Sequence, residues 1–340
     1  MSLQRPLEGV RVVEFEGIGP GPLAGRMLAG MGAQVTALVR PVLSPAWAEG
    51  AELKNPLREG KEIVVCDLKS EEGLARAREL VAGADVLLEG NRPGVMERLG
   101  LGPDVCLAKN PKLIYGRMTG WGQDGPLAQV AGHDLNYVAL TGLLSLAARQ
   151  GERPVIPPTV VGDAGGALGL AFGVACALAD VRAGGSGRVV DAAIVDIVAM
   201  LGTITQWIKV RGDIDNGLPS PFHDSPYYDV YECADGGQVT VGAIEPQFYD
   251  LFLKKLGLDD VDRAQQRDRA SWPALKERVA AVFRTRTRKE WCDIMEGTDV
   301  CFAPVLSMTE AAAHPHNVAR GLFQEVEGGG LLPAIAPRYL

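Results

Sequence analysis

The first 120 residues alternate short strand-like runs with helix-like segments, and this alternation limits the fold more than any other feature. Runs rich in Val, Ile and Leu occupy residues 10–15, 34–39, 62–68, 85–90 and 113–118. Helical patterns fill most of the gaps between them, as in EEGLARARELVAGA from Glu71. Strands that are apolar on both faces and are separated by helices predict a parallel sheet. The expected fold is therefore α/β, with a doubly wound parallel sheet.

The next segments extend this pattern. Residues 163–180, DAGGALGLAFGVACALAD, are apolar nearly all round and rich in small residues, which predicts a buried, closely packed helix. Residues 188–194 match one more strand pattern, and residues 195–210 match a single helix after it. We therefore predict one large domain over residues 1–211.

The composition changes after Arg211. Residues 212–226 lack periodicity and combine Gly, Pro and Ser with charged residues, which is typical of a linker. The following YYDVYECADGGQVTVGAI alternates around an Asp-Gly-Gly turn and predicts a β-hairpin, and helix-start signals follow at Pro246, Ser271 and Thr287. We predict a smaller α+β domain over residues 227–319. The tail, about 320–340, has strand-like and Pro-rich character and is expected to complete the large domain.

Charge and cysteine usage limit the partners and the location. With 34 basic and 42 acidic side chains, the net charge of −8 argues against nucleic acid or a membrane surface as a partner. The six cysteines include no CxxC pair, which predicts reduced, mostly buried thiols in a cytoplasmic protein without a zinc site. We expect no signal peptide and no membrane span, because no run reaches about 18 apolar residues.

A glycine-rich turn, GIGPGPLAG at residues 17–25, follows the first strand, where a Rossmann fold binds pyrophosphate. The third glycine of the fingerprint falls on Pro22, and Arg40 ends the second strand where an NAD enzyme has an acid. An arginine there suits the phosphorylated ribose of coenzyme A or NADP, although a turn that only packs helix on sheet also explains this sequence. Lys69 and Arg92 follow further strand ends, and Arg98 comes about two helical turns after Arg92. Together these basic residues suit phosphates, although each alone is a typical surface charge.

A His-Asp pair, His133 and Asp134, precedes another helical pattern. Asp134 is expected to cap that helix, and the acids Asp163 and Glu245 also stand at helix starts, so capping alone explains all three. The same positions also suit catalysis, because a helix N-terminus keeps a carboxylate ionised and its free amides can receive an oxyanion. A histidine supplies the complementary acid or base. Such groups fit proton transfer at a carbon beside a carbonyl, if they face each other.

Long, ordered motifs then identify a resemblance. From about residue 6 to the C-terminus, the chain resembles the α-methylacyl-CoA racemases, within the family III CoA-transferase (CaiB/BaiF) superfamily. This resemblance implies an interlocked homodimer, a large Rossmann-like domain, a small domain, and an active site at the subunit interface. The segments that carry it are PLEGVRVVEFEGIGPGPLAGRMLAGMGAQV, NRPGVMERLGLGP, YGRMTGWGQDGPLAQVAGHDLNY, VGDAGG, RVVDAA and YYDVYECADGGQVTVGAIEPQFYDLFLKKLGL.

The resemblance also implies roles for individual residues. It implies His133 and Asp163 as the two acid/base groups, Glu245 as the partner of the histidine, and the backbone amide of Asp134 as the donor to the thioester oxygen. It implies no metal and no separate cofactor, since coenzyme A is part of the substrate. The residues expected to contact coenzyme A are Arg40, Leu68, Lys69, Gly90, Asn91, Arg92, Arg98, Gly132, Asn136 and Tyr137.

Two segments depart from the family pattern. LREGKE at residues 57–62 is poorer in arginine than the corresponding family loop, which leaves the phosphate contacts of coenzyme A open. FHDS at residues 222–225 stands where the family has Asp-Gly-Gly, which leaves the acyl pocket open.

Four functions are compatible with these residues. The favoured one is racemisation of 2-methylacyl-CoA thioesters by 1,1-proton transfer through an enolate. A CoA-transferase would use Asp163 as a nucleophile, but transferases of the family share the aspartate and generally lack the histidine, so His133 favours racemisation. A CoA-binding protein without turnover is a third alternative. An NADP oxidoreductase is the fourth, and the broken glycine fingerprint opposes it. The acyl chain itself is left open.

Overall fold

The computed structural model describes residues 5–41, 55–149, 151–326 and 330–339. The chain divides into two compact units: Met1–Leu144, Ile156–Gly202 and Ile335–Leu340 form the first, and Ser145–Val155 and Thr203–Ala334 form the second. The main part of the first unit thus ends at Gly202, before the expected boundary at residue 211, and the last residues, Ile335–Leu340, return to it. Of the tail, the part up to Ala334 belongs to the second unit rather than to the first.

The first unit contains a six-stranded parallel sheet, which confirms the predicted fold class. Its strands are β1 (Arg11–Phe15), β2 (Gln34–Val39), β3 (Glu62–Val65), β4 (Val86–Glu89), β5 (Ile114–Thr119) and β6 (Arg188–Ala193). Their spatial order is β3-β2-β1-β4-β5-β6. The order reverses between β1 and β4, and in open α/β sheets such a reversal opens a crevice at the carboxyl ends of the strands where ligands bind.

Helices cover both faces of this sheet. They are α1 (Pro20–Gly30), α2 (Glu71–Ala82), α3 (Val95–Arg98), α4 (Pro103–Lys109), α5 (Asp134–Leu140), α6 (Gly165–Arg182) and α7 (Ile194–Leu201). Consecutive strand residues enter two different apolar clusters, as Val12 and Val13 of β1 do. Leu28 of α1 and Leu170 of α6 belong to the first cluster, and Val81 of α2 belongs to the second. Strands β1, β2, β4 and β5 are therefore buried on both faces, as their sequence predicts, whereas most residues of the edge strand β3 and the first residues of the edge strand β6 are exposed.

Helix α6 is buried on one face only, so the prediction of burial all round is wrong for the single chain. Leu170 is buried in the core, but Leu168 and Phe172 are 56% and 66% exposed, and Cys176 is exposed too. A helix that packs on one sheet buries a single side, and the other side needs a further layer. An 18-residue window within Val160–Arg182 has a mean hydropathy of 1.7, so this segment is long and apolar enough to cross a membrane by length and composition alone.

The break between the units falls where the sequence predicts one continuous helix. In place of a helix over residues 195–210, α7 ends at Leu201 and α8 covers Thr203–Val210, with Gly202 between them. Glycine is a poor helix former, because its flexible backbone loses much entropy in a helix.

The second unit contains a small antiparallel sheet, formed by β7 (Tyr228–Glu232), β8 (Gln238–Gly242) and β9 (Phe302–Pro304). Its main helices are α9 (Pro246–Leu256), α10 (Trp272–Phe283) and α11 (Arg288–Met295), followed by α12 (Met308–Ala313) and α13 (Pro315–Arg320). The predicted hairpin is confirmed in β7 and β8, and the helix starts at Pro246, Ser271 and Thr287 are confirmed too. In the tail, β10 (Phe323–Glu325) pairs with β11 (Leu331–Pro333), while residues 327–329 lie outside the described residues.

Candidate active site

A cavity of about 760 Å³ lies in the first unit, at the carboxyl ends of β1, β4 and β5. The start of α1, the start of α5 and the turn before α6 complete its wall. This is the crevice expected from the reversal of strand order between β1 and β4. Eight of the residues predicted from the sequence line it: Gly90, Asn91, Arg92, Gly132, His133, Asp134, Tyr137 and Asp163.

The other predicted residues of the first unit lie outside the lining. These are Arg40, Leu68, Lys69, Arg98 and Asn136. The side chains of Arg40, Lys69, Arg92 and Arg98 make no salt bridge and no hydrogen bond within the described ranges, and all four residues are exposed. These four cations of an acidic protein are thus unpaired within the described ranges, which leaves their hydrogen-bond donors available for an anionic ligand.

The start of α5 differs from the prediction, because His133 rather than Asp134 is the N-cap residue. Asp134 is the first residue of the helix. The backbone N–H of His133 donates to Oδ1 of Asn136 at 3.0 Å, so the side chain of Asn136 serves the helix start rather than the cavity. His133 is exposed, and its imidazole belongs to the cavity wall. Capping is therefore not the role of the Asp134 carboxylate.

That carboxylate contacts the second predicted acid instead. Oδ1 of Asp134 accepts a hydrogen bond from the backbone N–H of Asp163 at 2.8 Å, and Asp134 is 7% exposed. Asp163 stands in a π-helical turn, Val160–Ala164, directly before α6. Burial raises the pKa of Asp163, and the Asp134 charge raises it further, whereas the nearby His133 opposes the shift. The structure thus joins three residues of the predicted acid/base site.

Aromatic rings hold the peptide that precedes His133. The rings of Trp121 and Tyr137 meet edge to face, with centroids 4.7 Å apart. A Cβ atom at Gly132 would lie 2.8 Å from Cε1 of Tyr137 and 2.9 Å from Cζ2 of Trp121, so a side chain has no room there. The Tyr137 hydroxyl donates to the Gly132 carbonyl. Burial raises the pKa of Tyr137, and the negative charge of Asp163 adds to this shift.

Sequence reasoning missed several residues of the cavity wall. Glu14 of β1 and Glu89 of β4 line the cavity, as do Trp121 and Thr159. Glu14 forms a buried ion pair with Lys61, with Nζ and Oε2 2.6 Å apart. The acids were detectable as charges inside strands that are otherwise apolar. Thr159 has a left-handed φ of 62°, which is rare for a β-branched residue, and no signal in the sequence marks it.

Glu245, the predicted partner of His133, lies in the second unit. It is the N-cap residue of α9, but its side chain makes no capping hydrogen bond, and the residue is exposed. Helix capping therefore does not account for this carboxylate. Its pairing with the histidine stays a prediction.

The chain belongs to CoA-transferase family III, whose model matches residues 7–338. It is 43% identical to the alpha-methylacyl-CoA racemase of Mus musculus, in an alignment that covers 98% of this chain and 86% of that protein. The human (Homo sapiens) alpha-methylacyl-CoA racemase is 41% identical, with the same coverage. The crystal structure of Rv3272 from M. tuberculosis has a TM-score of 0.80 at 28% identity and covers 99% of this chain and 93% of that one.

Proposed function

We propose that this protein racemises 2-methylacyl-CoA thioesters by 1,1-proton transfer. The observation that carries the proposal is the meeting of His133 and Asp163 at one cavity, with Asp134 in contact with the Asp163 backbone. Similarity over nearly the whole chain to two alpha-methylacyl-CoA racemases supports the same reaction. Each acid/base residue serves one enantiomer as the base and the other as the acid.

The reaction removes the proton beside the thioester carbonyl and forms an enolate. The backbone N–H of Asp134, in the first turn of α5, has no acceptor within the described ranges, and we assign it to the thioester oxygen. Proton transfer is most efficient when the pKa of the acid or base lies near the working pH. Burial and the Asp134 charge raise the pKa of Asp163 and so shift it towards neutral pH.

Coenzyme A enters the proposal as part of the substrate, and the mechanism uses no metal and no separate cofactor. The four unpaired cations are assigned to its phosphates, and the Gly132–Tyr137 segment to its contacts beside the cavity. Charge-assisted hydrogen bonds from arginine to phosphate are stronger than neutral ones. The net charge of −8 supports a small anionic ligand held by local cations, rather than nucleic acid or a membrane surface. A cytoplasmic location is proposed on the cysteine usage, because reduced thiols are typical of that compartment.

We assign the exposed apolar faces to a homodimer. In the first unit, Leu168, Phe172 and Met200 are between 56% and 66% exposed, and in the second unit Trp207 is 58% exposed. Large contiguous apolar patches are rare on monomeric proteins, and Leu168 and Phe172 lie one turn apart on the same helix. The pairing of Glu245 with His133 is proposed to depend on that dimer. Sedimentation should show a dimer whose activity falls on dissociation, and full activity in a demonstrably monomeric sample would refute this assignment.

The reaction is tested with separate R and S 2-methylacyl-CoA thioesters in deuterated buffer, followed by proton NMR and chiral analysis. The wild-type protein should replace the α-proton of either enantiomer and yield both. His133→Ala and Asp163→Asn should each lose racemisation by about 10² or more, the scale of general acid-base catalysis. Each variant should retain slow exchange from one enantiomer, and the two variants should differ in which one.

Two results would overturn the racemase proposal. One is a His133→Ala variant that racemises at the wild-type rate. The other is a wild-type protein that exchanges no α-proton but moves coenzyme A between two acids, with Asp163→Asn inactive. The second result would establish the CoA-transferase, with Asp163 as its nucleophile.

A further inference from the structure

The side chain of Asp134 has a role that neither helix capping nor the oxyanion contact of its own amide explains. Its Oδ1 atom accepts from the Asp163 N–H at 2.8 Å, and the residue is 7% exposed. The contact is tight, because a Cβ atom added to Gly162 would lie 2.4 Å from the same oxygen. Asp134 forms no salt bridge within the described part of the chain.

A buried carboxylate without a cation is costly, so such groups persist where the structure uses them. We propose that the Asp134 carboxylate is a positioning residue that ties the Asp163 turn to the start of α5 and so sets the placement of Asp163 relative to His133. This inference rests on the proposed function only in taking those two residues as the acid/base pair.

Chain connectivity alone does not fix this placement. Asp134 and Asp163 are 29 residues apart in sequence, and the chain between them includes Ser145–Val155, which belongs to the second unit. Thr159, directly before the turn, holds a left-handed conformation that is unfavourable for threonine. The direct hydrogen bond across the cavity wall therefore fixes the placement of Asp163, which the intervening segment does not fix. Misplacement of a catalytic group by about 1 Å can cost about 10²-fold in rate.

The same carboxylate acts on Asp163 through its charge. The ionisable groups that face Asp163 come from α5 and its N-cap residue and are His133, Asp134 and Tyr137. Helix α1 contributes backbone at Gly19, where a Cβ would lie 3.4 Å from Oδ2 of Asp163. Helix α7, also packed on this turn, carries Asp196, whose charge acts on Asp191. Loss of the Asp134 charge should therefore lower the pKa of Asp163.

Three variants of the full-length protein separate the hydrogen bond from the charge. Asp134→Ala removes both, whereas Asp134→Asn retains an oxygen that can accept from the Asp163 N–H. Asp104→Ala is the matched control, because Asp104 is an exposed acid in the first turn of another seven-residue helix, α4. Circular dichroism checks that each variant is folded. Hydrogen exchange of the Asp163 amide, by mass spectrometry of the peptide that spans 160–165, then reports the contact without any reaction.

We expect the Asp163 amide to exchange at least about 10-fold faster in Asp134→Ala, and near the wild-type rate in Asp134→Asn and Asp104→Ala. In the α-deuterium assay, Asp134→Ala should lose uptake from the enantiomer served by Asp163 about 10-fold more than uptake from the other enantiomer. Asp134→Asn should retain that uptake, with the acidic limb of its kcat/KM profile moved to lower pH, because the pKa of Asp163 falls.

The outcomes distinguish this inference from the function on which it rests. Unchanged amide exchange in Asp134→Ala overturns the positioning role, whether or not the protein racemises. Equal loss of uptake from both enantiomers in Asp134→Ala also overturns it, because a general structural defect would produce that result. Absence of α-proton exchange in the wild-type protein, with amide exchange accelerated in Asp134→Ala, overturns the proposed racemase but retains the contact.

Discussion

Replacement of Lys61 by methionine should strongly destabilise the first unit. The Lys61 ammonium lies 2.6 Å from Oε2 of Glu14 and donates to the Pro22 carbonyl at 2.8 Å. Both charged side chains are almost completely buried, at 0% and 2% exposure. Methionine matches the stem of lysine in shape but leaves the Glu14 carboxylate buried without its cation. Breaking a buried pair in this way costs about 3–5 kcal/mol.

For a unit of about 200 residues, that loss corresponds to a Tm lower by roughly 6–20 °C. Urea denaturation followed by circular dichroism gives the free energy of unfolding directly. Lys69→Met is the matched control, because Lys69 is exposed and has no side-chain partner within the described residues, so its change should stay within about 0.5 kcal/mol. The double variant Glu14→Gln, Lys61→Met removes both charges. Its loss in free energy of unfolding should be smaller than the summed losses of the two single variants, by about 2 kcal/mol or more.

The loss in free energy of unfolding caused by Lys61→Met should also depend on pH. Burial raises the pKa of Glu14 above its ordinary value of 4.5, and the neighbouring Lys61 charge opposes that shift. Without Lys61, the folded state holds a proton on Glu14 more tightly than the unfolded state does, so lower pH favours folding. The deficit should therefore be largest at neutral pH and shrink as the pH falls toward 4.5. Additive single losses, or a deficit that grows on acidification, would refute this account of the pair.

Three further predictions concern the cavity and its rim. Arg40→Glu should raise KM for acyl-CoA more than it lowers kcat in steady-state kinetics, because a phosphate contact is equal in ground and transition states, and a kcat loss at unchanged KM contradicts this. Gly132→Ala should lower racemisation by about 10² with an unchanged circular dichroism spectrum, because its Cβ would displace the rings beside His133. Thr159→Gly should raise the free energy of unfolding by about 0.5–1 kcal/mol by relieving a left-handed threonine, and a loss of stability on urea unfolding would contradict the strain.

The sheet was predictable from the sequence because its signals are local. Runs that are apolar on both faces, separated by helical patterns, specify parallel strands, and the six strands form where those runs occur. The division into units was less predictable. The apolar pattern of residues 195–210 continues through Gly202, and only the tertiary structure shows that the helix ends there and that the chain passes from the first unit to the second.

The location of the site was also predictable, since carboxyl ends of parallel strands meet at one sheet edge. The detailed contacts were not. Local propensity assigns Asp134 to a helix cap, but Asn136 accepts from the cap residue and the Asp134 carboxylate accepts from Asp163. A hydrogen bond between residues 29 positions apart leaves no periodic trace in a sequence. The charges of Glu14 and Glu89 inside apolar strands were a signal of buried ion pairs that strand assignment alone ignored.

Helix α6 connects the site to the surface of the subunit. Its sequence is apolar nearly all round, yet one face packs on the sheet while Leu168 and Phe172 on another are exposed. The composition of this helix is compatible with burial on both sides, and the described chain covers one of them. The homodimer proposed above would cover the other. Asp163 stands in the turn directly before α6, so whatever covers the exposed face also restrains the turn that carries the acid. A second copy of the chain in that position would make the acid/base geometry depend on assembly, because the Asp134 contact and the covered helix would hold the same turn from two sides.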